Sequence, residues 1–299
     1  MASFFDEIAR NNLKSLLLLL VFSIFFAAIM FLFVLVLGGG LLAFFFGGLV
    51  IVGYAAFTYF YGDKLVLKMS GAKEADPKQY DVLCSTVEGL ALANQIPMPK
   101  VYVINDPNPN AFATGKNRKS ASVAVTSGLL SMMDKRELQG VLAHEMSHVL
   151  DNDILFMMIA IIYAGAIGLF AAFIRNAFFF GGLGGNSRNS EGFLLIIGLI
   201  LGILAPIFAL LIRLAISRRR EYMADANGAR IIRNPGALAD ALKKIQAYSV
   251  APNAKPVKNA NEMTASMYFS NPFSAKSFMN FLSTHPPIQD RISKLEHMY

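Results

Sequence analysis

The sequence predicts a mainly α-helical, polytopic membrane protein: four transmembrane helices and a soluble helical part that carries a small β-sheet. Three observations lead there. The chain of 299 residues is 55% hydrophobic and only 16% charged, against about 25% charged in soluble domains. Its uncharged residues are concentrated in three long runs, 15–62, 154–174 and 192–212. Outside those runs, apolar residues recur at helical spacing, with only two short β-rich stretches.

The same numbers exclude other classes. High apolar content excludes a disordered chain. A single cysteine, Cys84, excludes an internal disulfide framework and any all-cysteine metal site. It sits in a helical apolar pattern and reads as a small buried hydrophobe. The net charge of +7 raises a nucleic-acid reading, but no basic stripe with interleaved aromatics accompanies it.

The first run is 48 residues long and is broken at Gly38-Gly39-Gly40. A spanning helix needs about 20 apolar residues, so the run reads as a tight hairpin of two helices, about 15–37 and 41–61. The other two runs, 21 residues each, supply a third and a fourth span. Pro206 inside the last is tolerable where neighbouring helices satisfy the backbone groups it frees. The first helix exceeds the 7 to 15 apolar residues of a cleavable signal, and no small-x-small site follows it. Ala2 excludes N-myristoylation. Arg10, Lys14, Lys64, Lys68 and Arg218-Arg219-Arg220 flank the spans on one side, while the two hairpin loops carry only Arg175 and Arg188. Both termini and the two soluble parts are therefore expected in the cytoplasm, and this bias accounts for the positive charge.

In the soluble parts, Asp76-Pro77 reads as a helix opening, with Leu83, Val87 and Leu90 at helical spacing and Pro97 and Pro99 as its end. Residues 101–104 and 121–126 read as short strands, on either side of the turn cluster 106–110. Asp134 with Glu137 is a capping signature for a helix running through His148. Helical pattern resumes over 221–232. Asn234-Pro235 opens another helix, to about Tyr248. Pro287 opens a last one, with Ile288, Ile292 and Leu295 on one face. Residues 249–280 have weak periodicity and read as a loop or lid.

The chemistry lies in His144-Glu145-Met146-Ser147-His148, an H-E-x-x-H on a helix. Residues four apart share one face, so both imidazoles can meet one metal ion, for which zinc is suited. Glu145 sits where it can take a proton from a zinc-activated water. A catalytic site needs a third protein ligand. Glu221 and Asp225, four apart after the last span, offer a ligand and a carboxylate to orient a ligand histidine. Two spans separate His148 from Glu221; that even number puts both on one membrane face, with the zinc near the cytoplasmic surface. Asp134, Lys135, Arg136 and Glu137 in the motif's own helix argue against an intramembrane protease.

These residues carry a resemblance. Ala143–His148 with Asp153, Arg219–Asp225, Asn110–Gly115 and Ser283–Ile288, in that order and with four spans, resemble the HtpX-type membrane metalloproteases of peptidase family M48, related to the Ste24 CAAX prenyl protease. The resemblance implies a bacterial inner-membrane zinc endopeptidase, with one Zn²⁺ per chain, that removes misfolded or damaged membrane proteins under stress. By position it makes His144, His148 and Glu221 the zinc ligands and Glu145 the base. It puts Asn110 and His285 in contact with substrate or the tetrahedral intermediate, and it makes 121–126 the edge strand that pairs with an extended peptide backbone. His297 reads as solvent-facing. The fold expected is thus a gluzincin-like α-helical zinc protease domain with a small sheet, acting on protein substrates at a lipid bilayer. It divides into 1–62 and 154–212 as membrane hairpins, and 63–153 and 213–299 as the two catalytic parts.

Overall fold

The computed structural model describes residues 41–160, 162–163, 218–251, 269 and 286–298, and single positions between 13 and 27. The expected spans at 15–37, 154–174 and 192–212, most of 249–280, and His285 fall largely or wholly outside those residues. The second expected span lies within α1 (Leu41–Met69). Among the described residues no helix is long and apolar enough to cross a membrane. The unbroken described side chains of α1, residues 52–69, include Asp63, Lys64 and Lys68.

Four strands of three to five residues make a mixed sheet. β1 (Ala72–Glu74) pairs antiparallel with β2 (Lys100–Ile104), and β2 runs parallel to β4 (Ser122–Thr126). β3 (Ala111–Thr114) pairs antiparallel with β4, giving the order β1-β2-β4-β3. β4 is buried at every position, as a strand covered on both faces must be. This corrects the expected edge strand at 121–126: it is central, and among the described residues β3 is the edge. Thr126 N–H donates to Asn110 O at 2.9 Å, and Ala111 faces Val125 while Ala113 faces Val123. In that register the backbone groups of Phe112 and Thr114 point to β4, and those of Ala111 and Ala113 point outward.

The helices follow their sequence signals with one displacement. Asp76 opens a turn rather than a helix: its carboxylate accepts Lys78 N–H at 2.9 Å, and its carbonyl accepts Gln79 and Tyr80 N–H. α2 (Asp81–Ala93) starts five residues on and buries Leu83, Cys84, Val87 and Leu90. Thr126 caps the short α3 (Ser127–Met132). α4 (Lys135–Leu150) opens with a complete capping box, Asp134 accepting from Glu137 N–H and Glu137 from Asp134 N–H, both at 2.8 Å. α5 (Arg218–Ile232), α6 (Pro235–Val250) and α7 (Ile288–Glu296) are the remaining helices among the described residues.

α4 is the hub of the helices. It packs on α5, α6, α2 and the edge strand β3. Two glycines permit the closest approaches. A Cβ on Gly228 of α5 would stand 2.9 Å from His144 N, and one on Gly140 of α4 would stand 2.8 Å from Leu238 N on α6. Neither could be accommodated without moving a helix. Val141, Leu142 and Met146 of α4 are wholly buried in the core this creates.

Candidate metal centre

α4 carries the H-E-x-x-H motif in its last two turns, with His144, Glu145 and His148 all buried. The imidazoles lie on one face, ring centroids 4.9 Å apart. α5 lays Glu221 across them. One carboxylate oxygen is 3.6 Å from His144 Nε2 and the other 3.7 Å from His148 Nε2. One ligand atom from each of the three residues lies within 4.8 Å of the others. Two atoms on a tetrahedral zinc with bonds of about 2.0–2.1 Å stand roughly 3.3 Å apart. With the carboxylate 3.6 and 3.7 Å from the two Nε2 atoms and all three donors within 4.8 Å, two buried imidazoles and one buried carboxylate could close on a divalent metal.

The outer nitrogens are also satisfied. His144 Nδ1 is 2.9 Å from Asp225 Oδ1, and His148 Nδ1 is 3.3 Å from Asp153 Oδ2. A carboxylate on Nδ1 fixes the proton there and leaves Nε2 as the free donor atom. Burial pulls both histidines down in pKa, but the carboxylates outweigh it. Asp225 and Glu221 hold His144 above its ordinary value, and Asp153 with Glu221 pushes His148 up to about 9. Asp153 reaches back because the chain turns sharply after α4, through Asn152 at φ 56°, a left-handed conformation that asparagine tolerates. Arg118 donates to Leu150 O and so caps the last turn of α4.

Glu145 is held between the ligand face and the sheet. Burial pushes its pKa up, the two histidines pull it down, and Glu221 raises it. A backbone hydrogen bond from Ala113, one of the outward-facing residues of β3, reaches it as well. Asn110 stands where β3 begins and is wholly buried. Its side chain accepts Ala111 N–H at 3.1 Å, and its own N–H donates to Thr126 Oγ1 at 2.8 Å. His144, Glu145, His148, Glu221 and Asp225 thus come together, Asn110 lies at the end of the strand beside them, and His297 is exposed.

Three residues were not expected there. Arg291 of α7, 1% exposed, grips Asp225 with both ends of its fork, Nε to Oδ2 at 2.8 Å and Nη2 to Oδ1 at 2.7 Å. Phe269 sets its ring edge-on to His144, with centroids 4.9 Å apart, and its N–H donates to Ala111 O of β3 at 2.8 Å. Arg220, read above as a flank of the last span, turns inward over the Phe156 ring at 4.6 Å. A signal for Arg291 existed: it falls between Ile288 and Leu295 on the apolar face of α7, an improbable place for an unpaired charge.

Two imidazoles one helical turn apart, a carboxylate from a second helix and a buried glutamate beside them are the layout of a metal-dependent hydrolase. The chain belongs to peptidase family M48, whose model matches residues 77–299, and it is a metalloprotease of that family. It is 48% identical over 256 residues to a protease HtpX homolog of Caldanaerobacter subterraneus subsp. tengcongensis, covering 84% of this chain and 83% of the relative. A protease HtpX homolog of Desulfatibacillum aliphaticivorans is 48% identical over 248 residues, covering 83% and 78%. The crystal structure of S. mikatae Ste24p aligns with a TM-score of 0.49 at 19% identity, over 83% of this chain and 57% of that one.

Proposed function

We propose that the chain is a zinc endopeptidase with His144, His148 and Glu221 as ligands and Glu145 as general base. One observation supports it above the rest: the two Nε2 atoms meet the two oxygens of one carboxylate, while each Nδ1 is tied to a further carboxylate. Zinc bound there supplies a Lewis acid for a peptide carbonyl and lowers the pKa of a water to about 7. Glu145 takes the proton from the attacking water and returns it to the leaving amine. Asp225 and Asp153 hold the imidazoles in the tautomer that leaves Nε2 free. An extended substrate adding to the outer side of β3 would displace Phe269 N–H from Ala111 O and the Asn110 side chain from Ala111 N–H. Asn110, at the head of that strand, and His285 are the candidates for contact with substrate or the developing oxyanion.

The substrates in this reading are misfolded or damaged membrane proteins under stress, and the chain is a four-span protein of the bacterial inner membrane with its site and termini in the cytoplasm. The exposed Phe45, Phe46, Leu49, Val50 and Val52 of α1 support a lipid-facing N-terminal part. The test is cleavage of an unfolded protein by the full chain in detergent with added zinc. Glu145→Gln should keep the zinc and lose proteolysis by at least about 100-fold; equal cleavage by the variant would sink the mechanism. A reporter after Tyr299 should read as cytoplasmic, and a periplasmic signal overturns the topology.

A further inference from the structure

We propose that Arg291 is a positioning residue of the metal centre: it locks the Asp225 carboxylate against His144 Nδ1 and makes the docking of α7 part of the same unit that presents His144 to the metal. This rests on the reading of His144, His148 and Glu221 as a metal site.

The contacts form one chain. Asp225 Oδ1 is 2.9 Å from His144 Nδ1. Both Asp225 oxygens are held by the guanidinium, at 2.7 and 2.8 Å, so the carboxylate cannot rotate without breaking a charge-assisted bond. The third face of the guanidinium donates through Nη1 to Phe269 O at 3.0 Å, and its plane stacks on the Phe269 ring at 4.7 Å. The N–H of the same Phe269 bonds Ala111 O on β3. A single side chain from α7 therefore joins the second carboxylate of α5, the His144 ring and the outer edge of the sheet. Only a planar fork with donors in several directions can do this; a lysine supplies one point charge and no fork.

Geometry and charge make opposite demands, which gives the proposal its test. Deleting the positive charge would favour a nearby metal cation, whereas loss of the fork frees Asp225 and with it the His144 ring. Arg291→Lys separates the two, because it keeps the charge and removes the fork. Loss of a partner behind a metal-ligating histidine weakens binding about 10–100-fold.

The experiment is zinc competition against a chelating dye with the purified full chain. Arg291→Lys should bind zinc about 10–100-fold more weakly, and in the Asp225→Asn background the same substitution should add less than about threefold. Arg136→Lys, on the exposed pair with Asp240, is the control and should stay within about threefold. Wild-type chain that takes up no zinc overturns the site reading and this proposal with it. Wild type that binds zinc while Arg291→Lys matches it overturns this proposal alone, as does full additivity with Asp225→Asn. If the variant does not fold, amide exchange on the wild type decides. Zinc loading should slow exchange across 288–296 as well as in α4, and protection confined to α4 overturns the proposal.

Discussion

The two histidines of the motif are served by the same kinds of residue, assembled in different ways. On each side stand an aspartate at Nδ1, an arginine and a phenylalanine under the arginine. For His144 these are Asp225, Arg291 and Phe269, with the guanidinium 4.7 Å from the ring; for His148 they are Asp153, Arg220 and Phe156, at 4.6 Å. Two members of the His148 set are local, Asp153 and Phe156 following within eight residues, while Arg220 comes from α5 beside Glu221. The His144 set comes from three separate stretches far along the chain. Arg291 is fully buried and bound to both oxygens of Asp225; Arg220 is half-buried, and burial lowers its pKa while the Asp153 and Glu221 charges raise it. The difference teaches that one histidine is oriented by a turn and the other by the tertiary fold, so His144 is the one that reports whether the C-terminal part has docked.

Glu221 is the point where the two sides meet, and its removal should have the largest effect. Glu221→Gln should weaken zinc binding by more than about 100-fold and abolish proteolysis, measured as bound metal per chain after dialysis. An unchanged ratio removes Glu221 as a ligand.

Next come the two aspartates, where the comparison can break. Asp225→Asn should weaken zinc about 10–100-fold and also destabilise the metal-free chain by about 3 kcal/mol, because it leaves Arg291 buried without its charge partner. Asp153→Asn should weaken zinc about 10-fold with a smaller loss of stability, since Arg220 is less completely buried than Arg291. Thermal melts of both variants in chelator check this; equal losses would mean that the two sides are built alike after all.

This asymmetry also explains what the sequence could and could not tell. The motif, its capping box and the Glu221–Asp225 pair were legible because they obey helical spacing within a few residues. Asp153 came only with the resemblance to the family, because a left-handed Asn152 has no sure sequence signature. Arg291 showed itself only by its place on the apolar face of α7; its partners Asp225 and Phe269, 66 and 22 residues away, lie beyond any local pattern. The edge strand was misplaced for a related reason. β3 is four residues long and half alanine, so its strand signal is weak, and only pairing on its far side makes β4 central. Arg220 was hidden in a run of three arginines whose average behaviour is to face solvent.

The glycines sharpen the comparison at smaller cost. Gly228 lets α5 pass against the backbone of His144, and Gly140, one turn before His144, lets α6 pass, a helix that carries none of the three metal-site residues. Each Gly→Ala should cost about 1–3 kcal/mol by overpacking, read from chemical denaturation in chelator. Only Gly228→Ala should also weaken zinc binding, by about 10-fold, since it moves Glu221 relative to His144. A similar zinc defect in Gly140→Ala would show that stability alone sets metal affinity.

The local solution on the His148 side has its own cost, and it gives the smallest effect. The turn that returns Asp153 to His148 also buries Asp151 beside it. Burial, then the Asp153 charge, pushes Asp151 up to about 6 in the folded chain, against 3.8 unperturbed. The folded-state pKa is raised, so Asp151 favours the folded chain when protonated, below about pH 4, and that advantage is lost as pH rises through about 6. Asp151→Asn has no charge to bury and keeps an acceptor for Asn227 and Ser147, which now bond Asp151 at 3.2 and 3.4 Å. It should therefore be more stable than wild type by about 1–2 kcal/mol above pH 6.5, with the gap narrowing as pH falls toward 4. Denaturant melts of the metal-free chain at pH 4.5 and 7.5 measure it. A gap that is the same at both pH values would mean that the turn holds Asp151 without strain, and that the local route to His148 costs nothing.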